Sequence, residues 1–355
     1  MPLKITDTEE RENLDTHTEE VEEEMKNECF AAIDLGSNSC RLLIADQKGN
    51  HLYKDTVSTK LAEGMGQKNM LTPEAQERGL SCLFDFKQQM DRLNVKHYRA
   101  IATAACRKAL NGPEFVEKVF KETHIKLEVI DGKEEARLNL VGARDNVRDN
   151  PAKYMVVFDL GGASTEITLA TNSVDPKILH TISIPWGARN ASENFNLASY
   201  DAEKAQKLHD EIFGYVDDFV QNSKLDTYKG KVCFVATSST PLRLASMVKN
   251  FGHYDREAAD GVSFTKAEAD CEIDKVLKMT HEEMVENKYI GEKRSFIFAS
   301  ACVIFKTIYD RLGADVMIAS LKSAKDGIIK EFIDHGKNEQ ISQGCYRTQK
   351  CNSPR

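Results

Sequence analysis

Two stretches of the chain repeat one another: "AAIDLGSNSCRLLIAD", from Ala31 to Asp46, and "VVFDLGGASTEITLA", from Val156 to Ala170. Aligned on Asp34 and Asp159, both read Asp-Leu-Gly, then a serine (Ser39, Ser164), then an apolar run; they differ most where the first has Arg41 and the second Glu166. A strand ending in Asp, followed by Leu-Gly, small residues and another strand, is a tight hairpin. A chain that builds it twice is constrained to two units of one plan.

The hydrophobic pattern around the two copies supports that plan. Strands are expected at 30–34, 41–46 and 51–59, then a helix over 73–93, then strands at 98–103 and 126–130, each followed by a helix. The second half repeats the order, with strands at 154–159, 166–170 and 178–184, a helix over 202–221 and a strand at 232–236. Helices over 266–279 and 295–312, a strand at 316–320 and a last helix near 323–334 complete it. The order β-β-β-α-β-α-β, run twice, predicts an α/β protein of two duplicated domains with a cleft between them. The expected boundaries are an acidic tail over 1–28, a first domain over 29–148, a second over 149–335 and a flexible tail over 336–355. The last helix is a candidate to pack back on the first domain.

Composition narrows the class. With 41% hydrophobic and 29% charged residues the chain reads as a globular enzyme rather than a disordered or membrane protein. No apolar run approaches the roughly 20 residues a membrane span needs, and the N-terminus has no signal-peptide core. Nine cysteines without a C-x-x-C pair argue against a disulfide framework or a zinc knuckle, so a reducing cytoplasm is expected. Residues Met1 to Glu28 hold eleven Asp/Glu against three Lys/Arg, a composition that cannot bury enough apolar surface to order itself. The formal net charge of −8 disfavours non-specific nucleic-acid binding.

The repeated turn has a chemical reading. Gly36, Gly161 and Gly162 lack a Cβ that would block a ligand, and successive backbone N–H groups in such turns make anion-binding concavities. Phosphate is the expected guest. An acid opening each turn would repel it unless the acid holds a divalent cation that bridges to the phosphate. For either copy alone, an ordinary hairpin with an Asp-initiated turn is the better account of the residues. Two copies in corresponding places favour the phosphate reading.

The stretches "AAIDLGSNSCRLLI", "IATAACRKALN", "LEVIDGKEEARL", "VVFDLGGASTEI" and "SIPWGARNASENF" together resemble the exopolyphosphatase and guanosine pentaphosphate phosphohydrolase family, over about Phe30 to Phe332. The resemblance implies two RNase-H-like, actin-like ATPase domains, in a short form without the C-terminal helical domain of longer members. It implies a hydrolase of phosphoanhydride bonds, acting on inorganic polyphosphate or guanosine pentaphosphate with Mg²⁺ or Mn²⁺, and a possible homodimer. Carried onto this chain, it makes Glu135 of the Glu134-Glu135 pair the general base that takes a proton from the attacking water. Acidic residues in a helix's first turn are also common for electrostatic reasons alone.

Phosphoryl transfer needs oxygens neutralised and a nucleophile aligned. Backbone donors from Gly36, Ser37 and Asn38 and from Gly161, Gly162, Ala163 and Ser164 would hold neighbouring phosphates. Asp159 and Glu166 would hold the metal, with Asp34 a weaker candidate, and Arg41 and Arg107 would face the substrate's oxygens. Against the family pattern, Ala163 replaces a third glycine, Ser239 replaces a glycine of the third turn, Asn190 stands where an arginine is usual, and the segment after Arg294 lacks the expected Asp and Gly. Two alternatives stay open: a non-catalytic sensor of polyphosphate or alarmone, and an ATP-using kinase of the same fold. Trp186, His97, His124 and His180 read as packing residues, and Ser239 or Thr240 as a helix cap.

Overall fold

The computed structural model describes residues 28–65, 69–336 and 346–347. The expectations of an acidic N-terminal tail and a flexible C-terminal tail fall almost wholly outside them. Along the chain run β1 (Cys29–Leu35), β2 (Cys40–Asp46), β3 (His51–Val57), α1 (Pro73–Arg92), β4 (His97–Ala102), α2 (Ala104–Lys108), α3 (Gly112–Thr123), β5 (Leu127–Val129) and α4 (Gly132–Ala143). There follow β6 (Tyr154–Leu160), β7 (Thr165–Thr171), β8 (Ile178–Ile184), α5 (Ala188–Phe195), α6 (Ala202–Ser223), β9 (Val232–Thr237), α7 (Ser239–Val248) and β10 (Ser263–Thr265). The chain closes with α8 (Lys266–Val276), α9 (His281–Glu286), α10 (Glu292–Leu312), β11 (Val316–Ser320), α11 (Ala324–Gly336) and β12 (Tyr346–Arg347).

The chain divides into two units. The first comprises the residues up to Glu135 together with those from Ile328 onward, and the second runs from Ala136 to Gly327. The sequence boundary expected at 148/149 is therefore displaced to 135/136. The physical reason is that α4 begins in one unit and ends in the other, so no loop or change of composition marks the crossing. α11 makes the return crossing in the same way, and in the first unit Phe332 stacks on Phe30 of β1 at 5.0 Å between ring centroids.

In the first unit β1, β2 and β3 form an antiparallel meander, and β4 lies parallel to β1 with β5 parallel to β4. In the second, β6, β7 and β8 form the meander, β9 lies parallel to β6 and β11 parallel to β9. The correspondence extends to irregularities: the second and third strands slip register between Ile44 and Ala45 in one unit and between Leu169 and Ala170, the equivalent residues, in the other.

The central strands are apolar on both faces because both faces are covered. In β6, Val156, Phe158 and Leu160 enter the large core under α6 and α10, while Met155 and Val157 enter a smaller one with Leu140, Ala143 and Val147. In β1, Ala31, Ile33 and Leu35 meet Leu83, Phe86 and Met90 of α1. That helix starts cleanly, with Thr72 accepting from the Ala75 N–H and Pro73 in its first turn. Among the described residues no helix is long and apolar enough to cross a membrane, and the seven cysteines described are free thiols.

Candidate functional site

The first unit carries the turn between β1 and β2. Its closing bond runs from the Gly36 N–H to the Ser39 carbonyl at 3.0 Å. The carbonyls of Ser37 and Asn38 are taken from behind by the N–H groups of Ala62 and Lys60, both at 2.9 Å, and Thr103 N–H takes the Leu35 carbonyl at 3.1 Å. The carbonyls thus point inward, and among the described residues no acceptor stands against the N–H groups of Ser37, Asn38 or Ser39. The second unit repeats this around the turn between β6 and β7. Gly161 N–H closes it on the Ser164 carbonyl at 3.0 Å, and the Gly161 and Gly162 carbonyls accept from Ala188 N–H (2.9 Å) and Arg189 N–H (2.8 Å) at the start of α5. The N–H groups of Gly162, Ala163 and Ser164 have no acceptor among the described residues, and Gly162 and Ala163 are exposed. Of the backbone donors expected from sequence, Gly36 and Gly161 are consumed in closing their own turns; the others meet no acceptor among the described residues.

Asn190 explains one departure from the family pattern. Its Oδ1 accepts from Gly187 N–H at 2.8 Å, and its Nδ2 donates to the carbonyls of Ala163 (3.0 Å) and Pro185 (2.8 Å). A short amide therefore ties the turn to α5 where an arginine would reach past it. Gly187 is required for space: a Cβ there would lie 2.5 Å from the Gly162 carbonyl carbon and 2.6 Å from the Ala163 nitrogen.

Register decides the fate of the opposed charges. Asp34 and Arg41 are directly opposite on β1 and β2, and Arg41 Nη1 donates to Asp34 Oδ2 at 2.8 Å. Asp34 is 5% exposed and takes one of the arginine's donors, so its carboxylate is already neutralised. In the second copy the same opposite positions hold Asp159 and Glu166, two like charges on adjacent strands, a pairing that is unfavourable by itself. Ser183 Oγ donates to Glu166 Oε1 at 2.9 Å. Among the described residues no three His, Cys, Asp or Glu side chains converge as a metal cluster. Two carboxylates nevertheless suit Mg²⁺, which is commonly held by one or two carboxylates with water and phosphate supplying the rest.

The adjacent glutamates Glu134 and Glu135 have different surroundings, both in the first unit. Arg99 of β4, 8% exposed, is a hub: Nε and Nη2 form a fork on Glu128 (3.0 and 3.2 Å), Nη2 also reaches Glu134 (2.9 Å), and Nη1 reaches Glu331 of α11 (3.2 Å). Burial works against that guanidinium's charge, but the bonds to Glu128 and Glu134 outweigh it and hold its pKa above the usual value. Glu134 is thereby a structural anchor for the first turn of α4, where its N–H donates to Asp131 Oδ1 at 2.8 Å. Glu135 instead meets Arg107 Nη1 at 3.3 Å, and that nitrogen also donates to the Ile130 carbonyl at 2.7 Å. The Arg99 hub was missed from sequence because its partners are scattered from 128 to 331.

Trp186 packs edge-on against Phe195 at 5.0 Å, and its carbonyl accepts from the buried Thr165 Oγ1 at 2.7 Å. The cap of α7 is Ser238, not Ser239 or Thr240, and its side chain makes no capping bond.

The model of the Ppx/GppA phosphatase family matches residues 43–335. The chain belongs to that family. A bifunctional 3-dehydroquinate synthase/phosphatase from Fusobacterium nucleatum is 30% identical over 320 residues, covering 86% of this chain and 46% of that protein. The chain thus spans about half the length of this curated relative. Among solved structures, the Aquifex aeolicus Ppx/GppA family member superposes with a TM-score of 0.75 at 23% identity, over 89% of this chain and 100% of that one. An exopolyphosphatase from Cytophaga hutchinsonii gives 0.72 at 22% identity, over 86% and 98%. At these identities the structures speak for the fold.

Proposed function

We propose that the chain is a phosphohydrolase that releases terminal phosphate from inorganic polyphosphate or guanosine pentaphosphate, with Glu135 as general base. The observation that carries this reading is the matched pair of turns, one in each unit, whose carbonyls are pinned from behind and whose N–H groups are left open. Such concavities bind phosphate oxygens, and phosphoryl transfer asks the protein mainly for charge stabilisation and alignment. Glu135 suits the base because Arg99 claims Glu134, while Arg107, held on the Ile130 carbonyl, orients Glu135. Asp159 and Glu166 would hold Mg²⁺ or Mn²⁺, which when bound neutralises charge on the phosphate oxygens.

A general base contributes about 10²- to 10⁴-fold in rate. Phosphate release should be measured side by side on long polyphosphate, short polyphosphate and guanosine pentaphosphate, with each metal. Glu135→Gln should collapse turnover and leave binding of the same substrates intact. The ion pair between Arg107 and Glu135 favours a second reading, a non-catalytic sensor whose carboxylate is structural. Wild-type protein that binds these polyanions but releases phosphate from none of them would decide for the sensor.

A further inference from the structure

Both turns are pinned from behind by the segment that follows the third strand of their unit, but the two pins are held differently. In the second unit the carbonyls of Gly161 and Gly162 are taken by Ala188 and Arg189, the first residues of α5, whose own helical ladder keeps them in place. In the first unit the carbonyls of Ser37 and Asn38 are taken by Ala62 and Lys60, which lie in the irregular segment 58–65 after β3. Lys60 has φ 47, a left-handed conformation that a lysine keeps only when its surroundings impose it.

Those surroundings are supplied by α1. Arg78 reaches across to the segment, its Nε donating to the Thr59 carbonyl at 2.8 Å and its Nη2 to the Lys60 carbonyl at 3.2 Å and to Glu63 Oε2 at 2.8 Å. Thr59 is buried and its Oγ1 has no hydrogen-bond partner, so its side chain does nothing to fasten the backbone there. Next to Arg78, Gly79 forgoes a side chain in mid-helix, which is unfavourable for the helix itself. A Cβ at that position would stand 3.1 Å from the Phe115 ring and 3.4 Å from Leu61 Cδ1, so the bare backbone is where the buried Leu61 seats. Gly64, at φ 75, lies against the Thr72 cap of α1, where a Cβ would come within 2.8 Å of the Thr72 methyl.

We propose that Arg78 is a positioning residue for the first turn. It fixes residues 59–63, they pin the Ser37 and Asn38 carbonyls, and the pinned peptides aim the N–H groups of Asn38 and Ser39. The last step follows from the planar trans peptide, in which a carbonyl drawn to one side sends the next residue's N–H to the other. A guanidinium suits the task because its planar fork serves two carbonyls and a carboxylate at once, a geometry that an ammonium lacks. Arg78 acts through the segment and not by contact with a ligand. Its effect on turnover rests on the phosphohydrolase reading, whereas its hold on the turn does not.

Amide hydrogen exchange of the full chain, resolved by residue, reads the pin directly in wild type, Arg78→Lys and Arg78→Met. The Lys60 and Ala62 amides should exchange about tenfold faster in Arg78→Met, with Arg78→Lys between, while the amides of β1 and β4 keep their rates. Thermal unfolding at constant ionic strength with added tripolyphosphate reads the consequence, since a ligand bound only by the folded state raises the midpoint. Arg78→Met should need about tenfold more tripolyphosphate for the wild-type gain, and kcat/KM for phosphate release should fall in the same order of variants. Unchanged exchange at Lys60 and Ala62, or equal acceleration throughout β1 and β4, overturns the proposal. So does faster exchange at those two amides with a wild-type response to tripolyphosphate. Should Arg78→Met fail to fold, Arg78→Lys, which keeps the charge beside Glu63, decides by the same measurements. A wild type that neither gains from tripolyphosphate nor releases phosphate removes the phosphohydrolase reading, and the exchange rates still decide whether Arg78 holds the turn.

Discussion

Gly187→Ala isolates the contribution of the second turn's geometry. Gly187 has φ −123 and ψ 178, extended backbone that alanine adopts freely, so the substitution acts through space alone. The new methyl would stand 2.5, 2.6 and 2.7 Å from the Gly162 carbonyl carbon, the Ala163 nitrogen and the Gly161 oxygen, all backbone atoms, whereas ordinary contact begins at 3.4 Å. Relief requires turn and helix to part by about 1 Å, and β6 and β7 hold the turn's ends at Leu160 and Thr165, so the junction with α5 must open. The bonds from Ala188, Arg189 and Asn190, now 2.9, 2.8 and 3.2 Å, would pass beyond hydrogen-bonding distance. At about 1 kcal/mol each their loss costs about 3 kcal/mol of stability. A displacement of about 1 Å in substrate-positioning groups costs about 10²-fold in kcat/KM. Initial rates of phosphate release and urea unfolding midpoints measure both effects. Gly214→Ala is the control, since a Cβ there meets nothing within 4 Å and should stabilise α6 by about 0.5–1 kcal/mol. If Gly187→Ala keeps wild-type kcat/KM while losing stability, the turn does not position substrate and the phosphate reading of this unit fails.

Arg99→Met removes the guanidinium that Glu128, Glu134 and Glu331 share, and should lower stability by about 3 kcal/mol, read as a fall in the urea midpoint. An unchanged midpoint would mean the three acids disperse into solvent. Gly327→Ala would drive a methyl into the Leu138 carbonyl of α4, and should cost about 1–3 kcal/mol in thermal unfolding. Burial pushes the Asp326 pKa up, but the Lys325 and Lys322 charges and the Ser323 N–H outweigh it and hold the carboxyl below its ordinary 3.8. Its contribution is therefore complete above pH 3.8 and is lost as pH falls through the lower folded value, so Asp326→Asn should be less stable at neutral pH and show a flatter stability profile on acidification. Parallel acid profiles for the two proteins would refute this.

Much of the fold was legible because long apolar strands and amphipathic helices carry their period in sequence. The strand at 178–184 and the strand at 316–320 have the expected bounds, while β10, only three residues long, carries no such signal. α5 escaped detection for a different reason. Its start, Gly187, lacks a capping side chain and is selected by the space under the turn, and its sequence "ARNASENF" is polar and small, so its reason for being helical lies in the Gly161 and Gly162 carbonyls it serves. The division at Glu135 was illegible because an unbroken helix crosses it.

The opposed charges of the two turns were more legible than the sequence reading made them. In a hairpin whose inner pair is Leu35 and Cys40, Asp34 must face Arg41, and by the same counting Asp159 must face Glu166. One copy thus pairs its acid with an arginine across the strands. The other copy sets two carboxylates side by side, an arrangement that becomes favourable when a cation stands between them. The facing position is what separates the two copies: it holds an arginine in the first and a second carboxylate in the second. Glu166→Arg in the second copy should then re-create the first: an ion pair with Asp159 that raises stability without metal and abolishes any stimulation of turnover by Mg²⁺. Metal stimulation that survives this substitution would place the cation elsewhere and remove Asp159 and Glu166 from its holding.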